Sequence, residues 1–445
     1  MPSSTTTLSN DTNSTGNSRQ IITIGAFFFI FGFITWVNGT LIPYLRIACE
    51  LQEWQAYLVT FAFYISYTLM AFPSSKLLEY TGMIKGMRIG LIVMAFGCLL
   101  FIPAAYMRSY PLFLIGLFVI GAGTTLLQTT VNPYITLLGP ANKAANRMSM
   151  MGICNKFAGI LAPLILGAII LKNSGGLIQE LAQMSPAVKT IRLDELARAV
   201  IVPYGILTVA LLLVSFLIKY AHLPEIAAAA PTPETANLQP RKPVNHSLNF
   251  LLGFIAVFCT VGLEVVSGDT IGNYGLYHGM SLDIAKSLTS YTLAATLAGY
   301  LFGVLAIPKI ISQEKAFIFS SVLGVAITVL VLIVPGINSV ACIAMLGLSN
   351  ALLWPAIWAQ ALKGLQGKLL NRASAILIMG IAGGALMPLL YGWLTKSMGN
   401  QMAYVILIPC YLFNAFYWYK GREENPVSQG KNDLIVEPFY APAEK

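Results

Sequence analysis

Three ionisable side chains lie inside apolar stretches of this sequence, where their chemistry would be that of a charge pair or an ion site. Lys156 lies within GICNKFAGILAP, and no acidic residue occurs between Met148 and Leu171. Glu264 and Asp269 lie in a second apolar stretch, TVGLEVVSGDTIGNYG. A charge at the centre of a bilayer costs about 2.5–3.5 kcal/mol on insertion scales, so each charge needs a partner or a wet cavity. The sequence therefore predicts that Lys156 faces a wet cavity or one of the two carboxylates.

A second set of side chains could bind a neutral ligand that is rich in hydroxyl groups. Amides donate and accept hydrogen bonds, and the flat apolar face of tryptophan matches a pyranose ring in size. The candidate substrate-binding residues are Asn38, Gln128, Asn132, Asn155, Asn350, Trp354 and Trp358, with Trp36 as a further aromatic face. The alternative is that the asparagines join helices and the tryptophans fill the core.

Composition defines the class of protein that must position these groups. Of 445 residues, 56% are hydrophobic and 10% are charged, and the mean hydropathy is +0.72, which leaves too little polar surface for a water-soluble globule. The excess of Lys and Arg reports membrane topology rather than a nucleic-acid partner. The six cysteines lack metal-ligand spacing, and the three histidines lie in predicted loops without a catalytic motif. No metal, cofactor or enzymatic activity is predicted.

Apolar runs of about 20 residues can each cross a bilayer as a helix, and the chain contains twelve. We predict an all-α membrane protein with two six-helix bundles. The runs are 20–45, 54–77, 86–107, 110–138, 148–171, 199–221, 248–277, 286–308, 315–334, 338–362, 372–395 and 400–420. The predicted divisions are a disordered cytosolic tail (1–19), an N-terminal bundle (20–221), a cytoplasmic linker (222–247), a C-terminal bundle (248–420) and a cytosolic tail (421–445).

The distribution of basic residues predicts the orientation and the depth of Lys156. Lys and Arg are more frequent in the segments on the same side of the membrane as the two termini than in the segments on the opposite side. Because basic residues are enriched on the cytoplasmic side, both termini should be cytoplasmic. Lys156 follows Arg147, at the cytoplasmic end of the same run, by about 14 Å of helix, near the middle of a core of about 30 Å.

Two short segments resemble each other across the predicted halves. GAGTTLLQ, from Gly121 to Gln128, shares the spacing of its first glycine and its two leucines with GLSNALLW, from Gly347 to Trp354. Such internal similarity is typical of transporters that are built from repeats. The match predicts that Gln128 lies opposite Trp354 across a pseudo-twofold axis.

Longer motifs carry a family resemblance. NGTLIPYL, FYISYTLMAFPSSKLLEYTG, LFLIGLFVIGAGTTLLQTTVNPYITLLGP, NKFAG and NALLWPAIWAQALKGL resemble the fucose–proton symporter family of the major facilitator superfamily, especially its bacterial glucose/galactose branch. The resemblance extends from about residue 20 to 420. It implies the twelve-helix major facilitator fold, alternating access, a sugar substrate and a place in the bacterial inner membrane. In that fold the runs that carry the candidate amides flank the central cavity.

The sequence departs from the family pattern at the two positions associated with proton coupling. Where the fucose symporters have an aspartate and a glutamate, this chain has Gly39 and Gln128, and neither can carry a proton. Lys156 and Glu264, with Asp269 as the second candidate, are then the predicted coupling or charge-pair residues. Glu264 is preferred because it lies deeper. A fixed strut between the halves is the structural alternative.

The expected function is secondary transport of a neutral hexose, coupled to protons or sodium ions. An uncoupled uniporter and a carrier of an anionic sugar derivative are the alternatives, the latter because an ammonium group would also attract an anion. The expected partners are a small sugar, a possible coupling cation and the bilayer, and the protein is expected to be a monomer.

Overall fold

The chain folds into helices throughout the part that the structure describes. The computed structural model describes residues 12–137, 144–171, 176–220, 223, 246–307, 310–311, 313–361, 373 and 376–423. Twelve helical segments in these ranges are long and apolar enough to cross a membrane. The predicted all-α, twelve-span fold class is therefore confirmed.

We call the helices that precede the predicted linker the N-half and those that follow it the C-half. The N-half contains α1 (Thr12–Trp36), α2 (Asn38–Ala48), α3 (Glu53–Ala56), α4 (Leu58–Thr81), α5 (Met83–Tyr106), α6 (Tyr110–Leu137), α7 (Ala144–Ile170), α8 (Leu177–Gln183), α9 (Pro186–Arg198) and α10 (Ile201–Leu217). The C-half contains α11 (His246–Asp269), α12 (Ile271–Tyr277), α13 (Leu282–Ala285), α14 (Leu288–Ala306), α15 (Gln313–Ile333), α16 (Ile337–Asn350), α17 (Leu353–Ala361), α18 (Gly383–Met398) and α19 (Leu407–Glu423). Short 3-10 helices cover Ile218–Tyr220, Gly380–Ala382 and Met402–Ile406.

The helices extend beyond the predicted apolar runs at the chain ends. The first helix begins at Thr12, within the segment 1–19 that the sequence predicts as a tail. A helix can continue into water on polar residues, because apolar character is needed only inside the bilayer. Similarly, α19 continues to Glu423. Residues 1–11, most of the predicted linker and residues 424–445 lie outside the described ranges.

The polar segment that precedes span six is also helical rather than a simple loop. It forms α8 and α9, and α9 begins with Pro186 behind an extended Ser185, a favoured helix start. The helix buries Leu193 and Ala197 against the N-half. The Tyr44 hydroxyl donates to the backbone carbonyl of Ala197 at 3.0 Å, which ties the segment to α2.

Several spans are interrupted near their middle or far end. Span one changes from α1 to α2 at Val37, span seven from α11 to α12 at Thr270, and span ten from α16 to α17 after Asn350. By contrast, α6 runs unbroken past Pro133. Pro355 lies in the first turn of α17, where its missing amide hydrogen is not needed.

The structure places the two repeat segments in equivalent packing positions. An added Cβ at Gly121 in span four would lie 2.4 Å from the carbonyl oxygen of Phe63 in span two. An added Cβ at Gly347 in span ten would lie 2.1 Å from the carbonyl oxygen of Thr292 in span eight. Each glycine therefore permits close contact with the span two places earlier, as a six-helix repeat requires.

In the described part of the chain, the contacts between the halves run from mid-depth to the face that lies opposite the termini, which we call the far face. An even number of spans places both termini at one face. At the far face, Lys286 Nζ donates to Leu171 O at 2.8 Å and Asn400 Nδ2 donates to Glu53 Oε1 at 2.8 Å. Nearer the middle, Ser290 donates to Ile160 O at 2.7 Å. These contacts hold the two halves together at the far face.

Candidate functional site

An ion pair joins the halves near mid-depth. Lys156 of α7 contacts Glu264 of α11, with its ammonium group hydrogen-bonded to Oε1. The lysine side chain is 10% exposed and the glutamate side chain 19%, so the pair is largely but not fully enclosed. The ammonium nitrogen also lies 4.9 Å from the centre of the Trp36 ring, within the range of a cation–π contact.

Two glycines make this meeting of α1, α7 and α11 possible. An added Cβ at Gly159 would lie 2.6 Å from the Trp36 ring, and one at Gly268 would lie 2.7 Å from it. Trp36 therefore fills the space between a glycine of the N-half and a glycine of the C-half. The ring supports the Lys156 ammonium and limits its movement.

Asp269 faces a different part of the N-half. It accepts a hydrogen bond from Thr60 of α4, with 3.3 Å between Thr60 Oγ1 and Asp269 Oδ2, and the residue is 0% exposed. Because α11 remains helical as far as Asp269, the two acids point about 140° apart. In this structure Lys156 therefore pairs with Glu264, and Asp269 is directed to Thr60 instead.

Gln128 is a half-buried amide beside an aromatic wall. Its Nε2 donates to the Tyr67 hydroxyl at 3.2 Å. The Tyr67 ring stacks on Tyr64 with 6.1 Å between centroids, and Tyr64 packs against Gly384 of the C-half. The remaining donor and acceptor capacity of Gln128, next to these rings, is suited to a hydroxyl-bearing ring compound.

Asn350 has its polar atoms occupied inside the C-half. Its Nδ2 donates to Ser267 Oγ at 3.0 Å, and its Oδ1 accepts from the Tyr411 hydroxyl at 2.6 Å. The side chain is buried. This arrangement corresponds to the structural interpretation, in which the amide joins helices rather than binding a substrate.

Asn155 is also placed between helices. Its Nδ2 lies 3.4 Å from Phe28 O of α1, and its backbone and side chain pack directly on Gly32. The residue is half-buried, so part of it faces the interior. The contact to α1 is weak, because 3.4 Å is at the long end for an amide donor.

The structure separates Asn38 from the other predicted ligands. It is buried and lines a small pocket inside the N-half with Cys98, Ile120 and Tyr204. Ile120 precedes Gln128 by about 12 Å along α6. Asn38 therefore lies away from Gln128. It is the first residue of α2, after the break at Val37, and its side chain faces the interior of the N-half.

The remaining candidates, Asn132, Trp354 and Trp358, are described by their helix and their burial. Asn132 is half-buried on α6, and Trp354 is half-buried against the core of the C-half. Trp358 belongs to α17, and its side chain lies outside the described part of the chain. The structure brings together Lys156, Glu264 and Trp36, and separately Gln128 with Tyr67. These two groups form the candidate site.

Sequence reasoning missed Tyr67, Tyr64 and Thr60 as members of this interface. The signal was present, because FYISY places two tyrosines three residues apart on one face of a helix. Thr60 lies one further turn back on α4, but nothing in its local sequence distinguishes it from other threonines. Its role depends on the position of α11.

Gly39 is required for close contact between the halves. An added Cβ at this position would lie 2.2 Å from Thr289 Oγ1 of α14, so no side chain fits while the far face is closed. The Thr289 hydroxyl also donates to Gly268 O at 2.7 Å. Gly39, which replaces the aspartate of the family pattern, therefore lies where α2 and α14 are in direct contact.

The sequence profile of the Major Facilitator Superfamily matches residues 24–377. The chain belongs to this superfamily. It is 31% identical to the glucose/galactose transporter of Brucella abortus over 399 residues, which cover 89% of this chain and 92% of that protein. It is 26% identical to the L-fucose-proton symporter of Escherichia coli over 414 residues, which cover 90% of this chain and 93% of that protein. These matches confirm the predicted family resemblance.

A solved structure supports the fold of this superfamily member independently. The crystal structure of the transporter FucP in the outward conformation aligns with a TM-score of 0.68 and 24% sequence identity, covering 91% of this chain and 98% of that chain. The match confirms the major facilitator fold. The protein is thus a multi-pass transporter of the bacterial inner membrane and not an enzyme.

Proposed function

We propose that this protein is a secondary transporter of neutral hexoses that works by alternating access. The observation that carries the proposal is the 31% identity with a glucose/galactose transporter over 89% of the chain. The geometry agrees with it, because Gln128 and Tyr67 present polar atoms beside stacked aromatic rings. Glucose, galactose and fucose are the first substrates to test.

We propose that both termini are cytoplasmic, so that the far face is the external face. The excess of basic residues beside the termini supports this orientation. The contacts of Lys286, Asn400 and Ser290 then belong to a state in which the external side is closed. Residues 20–221 and 248–420 would be the two bodies that move against each other, in a monomer.

We propose that the Lys156–Glu264 pair links ion coupling to this movement. The pair joins the two halves directly, so its formation depends on their relative position. Gly39 and Gln128 cannot exchange protons, which leaves the charges of the interface as the candidates for coupling. Since Glu264 already neutralises the ammonium of Lys156, the contact favours a neutral sugar over an anionic derivative.

The test is counterflow in proteoliposomes with purified full-length protein. Vesicles loaded with unlabelled sugar should accumulate labelled glucose, galactose or fucose saturably, whereas labelled glucuronate should not enter. Mannose and N-acetylglucosamine extend the panel. Absence of saturable flux for all five neutral sugars would contradict the hexose proposal, and saturable glucuronate flux alone would replace it with the anionic alternative.

A further inference from the structure

Two neighbouring pairs of buried polar side chains lie where the halves meet beside span seven. Thr60 of α4 donates to Asp269 at the end of α11. Tyr57 directly precedes α4, about one turn of chain before Thr60, and Asn273 lies in α12, about one turn of chain beyond Asp269. The Tyr57 hydroxyl lies beside the Asn273 side chain. The cluster therefore contains two groups from each half.

The four groups are enclosed and poorly satisfied. Tyr57, Thr60, Asp269 and Asn273 are all 0% exposed. Among the described residues, Asp269 Oδ1, the Tyr57 hydroxyl and both polar atoms of the Asn273 amide form no hydrogen bond of normal geometry. Asp269 also forms no ion pair there, unlike Glu264 on the same helix. Buried polar groups are usually paired, and a buried carboxylate needs a counter-charge.

The chemistry of the cluster is that of an oxygen-lined cation site. A carboxylate, an amide oxygen and two hydroxyl oxygens are ligands that hard cations prefer. Asp269 ends α11, where the helix dipole favours positive charge. Coupling ions in transporters bind at such interrupted helices. A proton would occupy only one oxygen, whereas a metal cation can bind several at once.

We propose that Asp269, Asn273, Thr60 and Tyr57 bind a sodium ion when the far face is closed. The proposal rests on the transport function proposed above, for which this ion would be the coupling ion. Because the ligands come from both halves, binding stabilises the closed arrangement of the far face. Lys156 already supplies the counter-charge of Glu264, so Asp269 is the carboxylate left to hold the cation.

The test measures sodium binding without sugar. Full-length protein in detergent is unfolded thermally in NaCl, KCl or choline chloride at one pH and one ionic strength. Sodium should raise the unfolding midpoint saturably, because a ligand that binds only the folded state stabilises it. Asp269→Asn should abolish the sodium effect. Thr60→Val, which keeps the carboxylate, should raise the half-saturating sodium concentration at least about tenfold, the equivalent of losing one ligand.

The control is Asp194→Asn, which removes an exposed carboxylate from a surface pair with Arg108 and should leave the sodium effect unchanged. If Asp269→Asn does not fold, Thr60→Val and Asn273→Ala provide the same comparison. The proposal would be overturned if sodium did not change the unfolding midpoint of the natural protein, even if a change of pH did. Equal sodium effects in the natural protein and the variants that fold would also overturn it.

Hexose counterflow in the same preparations separates the two proposals. Sodium-dependent stabilisation without any hexose flux would support the cation site and contradict the substrate. Hexose flux without sodium-dependent stabilisation would contradict the cation site and support the substrate.

Discussion

The two halves contribute different chemistry to the interface between them. The N-half supplies the ammonium of Lys156 and the half-buried amide of Gln128. The C-half supplies the carboxylates of Glu264 and Asp269, and the amide of Asn350, which is already fully engaged. Near mid-depth, positive charge therefore lies on the N-half side of the interface and negative charge on the C-half side.

This difference shows how similar folds can have different functions in each half. Gly121 and Gly347 perform the same packing task in the two halves, so the repeat is preserved where helices touch. It is not preserved where polar groups meet the interface. Packing symmetry therefore coexists with chemical asymmetry, as expected when function depends on a few side chains grafted on a common framework.

Removal of the N-half cation should have the largest effect. We expect Lys156→Ala to lower the free energy of unfolding by about 1.5–3 kcal/mol, the usual cost of losing a hydrogen bond to a charged group. Because Glu264 keeps 19% exposure, we expect the variant to remain folded while its transport gains or loses a pH or sodium response. Thermal unfolding in detergent and counterflow at several pH values and sodium concentrations measure these changes.

The matched control is Lys189→Ala, which breaks an exposed pair with Glu50 and should cost at most about 1 kcal/mol. The strut interpretation makes a different prediction. Under it, Lys156→Ala would fail to fold, and the double variant Lys156→Ala, Glu264→Gln would recover stability and fully normal, equally ion-dependent transport. Such recovery would contradict a coupling role for the pair.

Addition of a carboxylate to the N-half should be the next largest change. Gly39→Asp, and also Gly39→Ala, should reduce transport about tenfold or more, since overpacking of about 1–3 kcal/mol opposes closure against Thr289. Initial rates of counterflow measure the loss. Gly152→Ala is the control, because nothing lies within 4 Å of an added Cβ there. Normal transport by Gly39→Ala would show that this close contact is not needed.

Removal of the satisfied amide of the C-half should affect stability rather than substrate affinity. Asn350→Leu removes the hydrogen bonds that the amide forms with the hydroxyl groups of Ser267 and Tyr411. The loss should lower the free energy of unfolding by about 1–2 kcal/mol. The half-saturating sugar concentration should change less than about twofold. A large rise in that concentration without loss of stability would instead make Asn350 a sugar ligand.

Removal of the half-buried amide of the N-half should affect substrate affinity rather than stability, with the smallest free-energy change of the variants considered. Gln128→Ala should raise the half-saturating sugar concentration about fivefold, equivalent to about 1 kcal/mol for one hydrogen bond, with little effect on thermal unfolding. Gln183→Ala, at an exposed position on α8, is the control. Unchanged sugar affinity in Gln128→Ala would show that the amide only joins α6 to α4 through Tyr67.

The sequence by itself determined the membrane class, the twelve spans, the family and the inventory of intramembrane charges. These properties depend on local composition and on motif spacing, which do not require knowledge of the fold. It did not predict the helices at 177–183 and 186–198, because a polar segment without a long apolar period gives little signal. It also left Gln128, Asn155 and Asn350 equivalent, although their surroundings differ.

Only the tertiary structure decided which charges meet. Lys156 and Glu264 are 108 residues apart in sequence, and their contact depends on how α7 and α11 are rotated toward each other. A turn of about 140° along α11 directs Asp269 to Thr60 instead, with 209 residues between those two positions. Helix rotation is fixed by packing at Trp36, Gly159 and Gly268, which belong to three different helices. No local pattern records such an arrangement, because it depends on side-chain shapes that are distant in the chain.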